Sequence, residues 1–296
     1  MAPTESGSAS ERPIPLDHVR WSGQPLLNRP VLIIAFEGWN DAGDAASTAV
    51  RHLGDRWGAR PFATIDPEIF YDFTTTRPQV RLSSSGDRQI EWPVNTVSSV
   101  EVSDDLHVIT LVGTEPQLRW RTFCSQVIGL AKLLDVRLVM TVGALLSEVP
   151  HTRPTPVYGA AYDDELTTEM GLMPSRYEGP TGIVGVLHNA FAEAGVPSAS
   201  LWAAVPTYVP SAPSPKAALA LVERAARMLH VDVDIDELVA ETRVYEEQIS
   251  ELVEADEESR DYVEQLEGSY DDGEGIEDES FRLIEEVERY LRDHPE

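Results

Sequence analysis

Short apolar runs that alternate with helical segments constrain the fold of this chain more than any other feature. VLIIAF (31–36), HVITLVG (107–113) and VRLVMTVGAL (136–145) have the length and composition of buried strands, and PFATID (61–66) and SLWAAVPTYV (200–209) extend the set. None approaches the roughly 18 apolar residues that a membrane span needs. Strands alternating with helices at this spacing predict an α/β fold, a three-layer sandwich with a mixed, mostly parallel sheet.

The segments between these runs predict the covering helices and the remaining loops. Helices are expected over 41–53 and 117–134, in EGPTGIVGVLHNAFAEAGV up to Gly195, and in SPKAALALVERAARMLHV, which has a proline at its start. The interval 67–100 predicts short β pieces, with a hairpin turn at SSGD. HTRPTPVYG (151–159) is predicted as a proline-rich loop.

Composition and charge divide the chain into three parts. Residues 1–25 are rich in Pro, Ser and Gly, which predicts a flexible N-terminal arm. Residues 26–235 are predicted to form the α/β domain. Residues 236–296 form an acidic tail, and from 232 onward the chain has 26 Asp and Glu against 5 Arg. We predict a helical hairpin there, with one long helix whose apolar stripe is interrupted by Asp256 and Ser259, a break at 267–280 and a second helix. The apolar residues that define its two helices are Tyr245, Ile249, Leu252, Val263 and Leu266, then Phe281, Ile284, Val287 and Leu291.

The same charge distribution excludes some classes of partner. A chain with a formal net charge of −28 repels phosphate backbones and anionic lipid surfaces, so we expect neither nucleic-acid nor membrane binding. Cys124 is the one cysteine, which excludes an intramolecular disulfide. MAPTESGSASERP lacks the basic start and apolar middle of a secretory signal, so we expect a cytoplasmic protein.

The segment EGWNDAGD, which follows the first apolar run, allows three interpretations. A phosphate cradle is disfavoured, because Glu37, Asp41 and Asp44 put negative charge at the start of the next helix. A divalent metal suits carboxylates better, yet regular calcium-loop spacing is missing. We favour a structural turn, with Asn40 or Asp41 as the helix cap and Asp44 in its first turn. The alanines that follow would give a thin helix surface suited to close approach by a sheet or another subunit.

Two later loops also carry candidate ligands. His151 and Arg153 lie just beyond a predicted strand end, where they could bind an anion or act in acid–base chemistry, or only belong to a stiff surface loop. Gly179 and Thr181 precede a predicted helix, which suits an anion but also ordinary helix entry. We predict no catalytic residue, metal site or cofactor. The candidates for ligand binding are Glu37, Asn40, Asp41, His151, Arg153, Gly179 and Thr181.

Taken together and in order, GWNDAGDAA, GTEPQLRW, SEVPHTRPTPVYG, EGPTGIVGVLHNAFAEAGVPSASLWAAVPTYV and the acidic tail resemble the bacterial branch of the PAC2 (proteasome assembly chaperone 2) family, over about residues 28–270. The resemblance implies a body like that of nucleoside phosphorylases. It also implies a homo-oligomer, for which we expect a trimer. Relatives bind proteasome core particles, in some cases through a C-terminal hydrophobic-Tyr-any-residue motif. This sequence ends RYLRDHPE and does not match that motif, so the docking device is absent and proteasome assembly is an expectation from the family alone.

Two functions remain. The first is a non-catalytic homo-oligomeric protein that binds or chaperones other proteins, with the proteasome core particle among the possible partners. The alternative is a small-molecule-binding enzyme of phosphorylase or hydrolase type, in which His151 and Arg153 contact an anion and Glu37 or Asp41 supplies polar contacts.

Overall fold

The computed structural model describes residues 15–174 and 177–272 of this chain. Its strands are β1 Val19–Trp21, β2 Val31–Glu37, β3 Arg60–Ile65, β4 Gln79–Leu82, β5 Arg88–Glu91, β6 Asn95–Ser103, β7 Leu106–Thr114, β8 Leu138–Ser147, β9 Val157–Ala161 and β10 Ser198–Pro206. Its helices are α1 Ala45–Trp57, α2 Trp120–Leu133, α3 Asp164–Met170, α4 Ile183–Glu193, α5 Pro215–Leu229, α6 Asp236–Glu254 and α7 Glu257–Asp271. A 3-10 turn, Ala42–Asp44, precedes α1.

Eight strands form one sheet in the order β1-β3-β6-β7-β2-β8-β10-β9. The central strands β7, β2, β8 and β10 pair in parallel, whereas β1, β3, β6 and β9 add antiparallel pairs. Strands β2, β3, β7, β8 and β10 therefore point one way, and β1, β6 and β9 point the other way. The prediction of a mixed, mostly parallel sheet is confirmed.

Alternation along β2 shows how the layers are held together. Val31, Ile33 and Ala35 belong to the buried cluster that includes α1 and α5, whereas Leu32 and Ile34 belong to the cluster that includes α2 and α4. Successive side chains of a strand point to opposite faces, so an unbroken apolar run is what a strand covered on both sides requires. The three-layer sandwich follows directly from this sequence pattern.

The alanine-rich face of α1 packs against other elements of the same chain. Ala45, Ala46 and Ala49 are fully or almost fully buried in the cluster that α1 shares with the sheet and α5. Small side chains let a second helix approach closely, and here that helix is α5 of the same chain.

Two strands lie where the sequence predicted none. Within the predicted flexible arm, Val19–Trp21 pair with β3, and residues 1–14 lie outside the described part. Within the predicted proline-rich loop, Val157–Ala161 pair antiparallel to β10. Both are edge strands of three and five residues, and so short a pattern has little periodicity to detect.

The acidic tail breaks earlier than predicted. One long helix through Leu266 was expected, but α6 ends at Glu254 and α7 begins at Glu257. Asp256 lies in an extended conformation, and its side chain accepts hydrogen bonds from Ser259 N and Oγ at 2.8 and 2.6 Å, so it caps a new helix. Val263 of α7 shares a buried cluster with Tyr245, Ile249 and Val253 of α6. The second helix predicted from Phe281 to Leu291 lies outside the described residues.

Candidate functional site

The turn that follows β2 lies at the carboxyl edge of the sheet and joins four elements. The Asn40 carbonyl accepts a hydrogen bond from Ala144 N of β8 at 2.8 Å, and its Oδ1 accepts one from Val184 N of α4 at 3.3 Å. The Gly43 carbonyl accepts one from Ser214 N, next to α5, at 2.7 Å. Asn40 is almost fully buried. The turn is thus tied to β8 and to the starts of α4 and α5.

Asp41 caps α1, and it is one of the two residues, Asn40 and Asp41, that the sequence analysis named as the cap. Its Oδ1 accepts hydrogen bonds from Ala46 N at 2.7 Å and Ser47 N at 3.1 Å. Asp41 is 4% exposed, and burial raises the pKa of its carboxyl above the usual range. Asp44 lies at the N-cap with φ 52° and not within the first turn of α1, since Ala42–Asp44 form the 3-10 turn.

Glu115 was missed by the sequence analysis, although GTEPQLRW was noted as a segment. Its Oε1 accepts a hydrogen bond from Ile183 N at the start of α4, at 3.0 Å, and its Oε2 accepts one from Trp39 N at 3.3 Å. One carboxylate therefore links the loop after β7, the turn after β2 and α4. A glutamate 68 residues away from the N–H group that it binds gives no local capping signal.

Glu37, at the end of β2, faces a groove. It forms an ion pair with Arg51 of α1 and accepts a hydrogen bond from Thr114 Oγ1 at 3.2 Å. The groove has a volume of about 510 Å³ and lies between α1, β6, β7 and the β4–β5 hairpin. Its polar lining includes Glu37, Arg51, Arg77, Arg81 and Glu91. Glu37 is the predicted candidate that borders this space.

Gly179 and Thr181 lie in the segment before α4, and both are exposed. Thr181 Oγ1 lies 3.5 Å from the Gly182 carbonyl, at the limit of a hydrogen bond. Gly182 itself is tightly confined, because an added Cβ would lie 2.0 Å from Asn40 Oδ1. The confined glycine, and not the two predicted candidates, makes the contact with the turn after β2.

His151 contacts the first tail helix, α6. Its ring is 2% exposed, with Nδ1 2.8 Å from the Tyr208 hydroxyl and Nε2 3.0 Å from Ser250 Oγ of α6. The Tyr208 hydroxyl also accepts a hydrogen bond from His151 N at 2.7 Å, and the His151 carbonyl accepts one from Lys216 Nζ at 2.5 Å. Burial, together with the positive charge of Lys216, lowers the pKa of His151. The ring is therefore neutral, with one nitrogen accepting and the other donating.

Arg153 is paired with carboxylates of α7. Its Nε and Nη2 donate to the two oxygens of Asp271 at 2.8 and 2.7 Å, and Nη1 donates to Glu267 at 3.3 Å. This two-point contact raises the pKa of Arg153 and lowers the pKa of Asp271. Arg153 does meet anions, and these anions belong to the tail of its own chain.

The seven predicted candidates thus form two groups. Glu37, Asn40 and Asp41 lie together at the end of β2, and the segment with Gly179 and Thr181 lies beside them. His151 and Arg153 instead contact α6 and α7, respectively.

In the described ranges, no cluster of three or more His, Cys, Asp or Glu side chains is arranged to hold a metal ion. Burial raises the pKa of the Cys124 thiol to about 12. No helix within 15–174 or 177–272 combines the length and apolar character of a membrane span.

Comparison with known proteins assigns the chain to a family. The sequence profile of the PAC2 family matches residues 35–253, which is well over half of the chain. The chain belongs to the PAC2 family. A comparison with the curated proteins finds no match.

Solved structures agree with this assignment. A PAC2 family protein from Streptomyces avermitilis has 46% identity and a TM-score of 0.75, covering 79% of this chain and 99% of that one. A proteasome-assembly chaperone homologue from Mycobacterium tuberculosis has 44% identity and a TM-score of 0.71, with the same coverage. Pyrococcus furiosus PbaB, an archaeal proteasome activator, shares the fold at 16% identity and a TM-score of 0.66, covering 79% of this chain and 97% of that one.

Proposed function

We propose that this PAC2 protein is a non-catalytic, homo-oligomeric protein of the cytoplasm that binds or chaperones other proteins, with a trimer as its assembly. The observation that carries the proposal is the state of the carboxyl edge, where α/β enzymes usually bind ligands. The polar side chains at this edge form hydrogen bonds within the chain, to backbone N–H groups or to a tail helix. They are Asn40, Asp41, Glu115 and His151. Such contacts favour a structural role over turnover of a substrate.

Exposed apolar side chains at the same edge support protein binding. Trp39 is 51% exposed in the turn after β2, and Leu118 is 46% exposed in the loop after β7. Glu115 anchors both loops, because it binds Trp39 N and precedes Leu118 by three residues. Tryptophan is enriched at protein interfaces and dominates many of them energetically. We therefore assign Trp39 and Leu118 to the surface that meets a partner protein.

The partner to test first is the proteasome core particle. The Mycobacterium tuberculosis relative, at 44% identity, is described as a proteasome-assembly chaperone homologue. This relationship supports a protein partner, and proteasome subunits are its most direct candidates.

The experiment compares tagged full-length proteins purified from their own cells. We expect specific co-purifying proteins with the wild type, and at least about tenfold less of them with Trp39→Ala/Leu118→Ala, the loss expected when interface anchors are truncated. Leu133→Ala is the matched control, because Leu133 is 64% exposed at the far end of α2. Native mass spectrometry of each protein gives the subunit number. A monomeric wild type that enriches no protein would contradict the proposal.

The alternative, a small-molecule-binding enzyme, is favoured by one observation. The groove beside Glu37 has a volume of about 510 Å³, which is in the range of ligand pockets, and it combines Arg51, Arg77 and Arg81 with carboxylates. A thermal-shift screen of anionic metabolites tests it. Stabilisation that is lost in Arg51→Gln, and kept in Arg227→Gln on the exposed side of α5 and outside the groove lining, would favour this alternative.

A further inference from the structure

The β4–β5 hairpin has an apolar face that is turned to solvent. Val80 lies opposite Ile90, and Leu82 lies opposite Arg88, so these four side chains share one face. The exposed fractions of Leu82, Ile90 and Val80 are 70%, 60% and 52%. The side chains of the other face, including Gln79, Arg81 and Glu91, line the polar groove. This orientation is opposite to that of an ordinary half-buried hairpin.

We expect another apolar surface to pack on this face. An isolated two-stranded hairpin is marginally stable in water, and a contiguous exposed apolar patch marks an interaction site. Arg88 lies on the apolar face, and Arg77 precedes β4. The cover should therefore be apolar along one side and acidic beside it.

The sequence of the C-terminal segment has this chemistry. Residues 273–296 contain nine Asp and Glu against three Arg. Phe281, Ile284, Val287 and Leu291 recur at helical spacing, with Glu285, Glu286 and Glu288 between them. An apolar stripe of this kind needs a surface against which it can be buried.

Topology brings the start of this segment to the edge from which the hairpin rises. Strand β3 ends and β6 begins at the carboxyl edge, so residues 66–94 leave from it. Asp271, at the end of α7, is bound by Arg153 in the loop after β8, at the same edge. β6 and β8 are separated by β7 and β2, about 14 Å for three strand spacings. Residues 273–280 can span up to about 26 Å, which exceeds this strand separation.

We propose that residues 281–291 cover the apolar face of the β4–β5 hairpin of the same chain. Tethering favours this occupant over a second copy, because a short linker holds the segment at millimolar effective concentration. The inference does not depend on the proposed function, since the cover can form whether the protein is monomeric or oligomeric and whatever partner it binds.

The test is photo-crosslinking in the full-length protein. Benzoylphenylalanine replaces Phe281, which preserves an aromatic side chain on the apolar stripe. Irradiation should join position 281 to residues 79–92, identified by peptide mass spectrometry, in a product that migrates as one chain. The same group at position 286 is the matched control, because Glu286 lies at least about 100° around the helical pattern from every residue of the apolar stripe. It should give at least about fivefold less of this product.

Hairpin variants give a second test. Arg88→Glu should reduce the crosslink several-fold, and Arg88→Lys should restore it, because the charge at this position attracts the acidic segment. Leu82→Ser/Ile90→Thr should abolish the crosslink, whereas Leu252→Ser, at a leucine 64% exposed on α6, should not change it. A product between two chains, a crosslink elsewhere, or equal yields at 281 and 286 would each overturn the proposal.

Discussion

The turn after β2 and the loop after β8 carry similar polar residues at the same edge of one sheet, yet they are held in different ways. In the turn, Asn40 and Asp41 accept hydrogen bonds from backbone N–H groups of α4 and α1. In the loop, His151 and Arg153 contact side chains of α6 and α7. A backbone donor in the body cannot leave unless its helix moves, whereas a tail helix can separate from the body. The turn therefore belongs to the core, and the loop fastens the tail.

The largest expected effect lies in the turn. Gly182→Ala should destabilise the protein by about 3 kcal/mol, because the new methyl group would meet Asn40 Oδ1 at 2.0 Å and displace it from Val184 N. The backbone of Gly182 is extended, with φ −89° and ψ −173°, so the cost comes from space and not from backbone strain. Denaturant unfolding measures the change in the free energy of unfolding.

The matched control for this variant lies in the tail. Gly268→Ala, in α7, places a methyl group with nothing within 4 Å and should stabilise that helix by about 0.5–1 kcal/mol. Equal and small effects at both glycines would show that the turn is not held as tightly as its contacts indicate.

The second-largest loss of stability is expected at the cap on α1. Asp41→Ala should cost about 1–2 kcal/mol, because Ala46 N and Ser47 N lose their acceptor. Asp41→Asn keeps an oxygen acceptor and removes a charge that burial disfavours, so it should be at least as stable as the wild type at pH 7. Thermal unfolding of the three proteins at one pH distinguishes these outcomes.

Asp41 also predicts a pH dependence. Burial raises the pKa of Asp41 in the folded state, so its contribution to stability is present below the unfolded pKa of about 3.8 and is lost as the pH rises through the folded pKa. The wild type should therefore lose stability relative to Asp41→Asn as the pH increases from 4 to 7. A constant difference between the two proteins would show that Asp41 does not titrate in this way.

The contrast between turn and loop also explains what the sequence could predict. Asp41 binds N–H groups five and six residues away, so a local capping rule finds it. The sheet was predictable for a related reason, because an apolar run such as VLIIAF requires burial on both faces. His151 and Arg153 were recognised as polar residues at a strand end, but their partners lie 99 and 118 residues away. No local pattern indicates that an arginine meets a carboxylate of its own tail.

Two further misses have the same origin. The break between α6 and α7 was not predicted, because the apolar stripe resumes at Val263 and Leu266, which indicates one helix with a weak middle at Asp256 and Ser259. Asp256 instead caps a new helix. Glu115 binds Ile183 N across 68 residues, so its role depends on topology and not on neighbours in the sequence. The family resemblance agreed with the fold class that the alternation of strands and helices already predicted, but it did not indicate these contacts.

In the loop, acid should weaken the attachment of the tail through His151. Charged and titratable groups that face the ring are Tyr208, Lys216, Glu246 and Glu267, with Ser250 as a polar neighbour. The pKa of His151 is lowered in the folded state, so its contribution is present above the unfolded pKa of about 6.5 and is lost as the pH falls through the folded pKa. Protonation would make both ring nitrogens donors, so the nitrogen that accepts a hydrogen bond in the neutral ring would lose that bond.

Hydrogen exchange of α6 and α7 measures this effect. After correction for intrinsic rates, protection should fall between pH 7 and pH 5 in the wild type, by a free energy of at most about 1.4 kcal/mol per pH unit. His151→Gln, which cannot take up the proton, should lose less protection over the same range. Parallel losses in the two proteins would assign the acid sensitivity to the carboxylates of the tail instead.

The smallest effect is expected from Arg153. Its side chain is 30% exposed and that of Asp271 is 54% exposed, so water and salt screen their pairing and global stability should change little in Arg153→Ala. Loss of the two-point contact should instead increase hydrogen exchange at the end of α7 and leave α1 unchanged. Arg20→Ala, which breaks the ion pair between Arg20 of β1 and Asp66 after β3, is the matched control and should leave α7 unaffected. If exchange in α7 does not respond to Arg153→Ala, the tail is held by His151 and the apolar cluster of Tyr245, Ile249, Val253 and Val263, and the loop does not fasten it through charge.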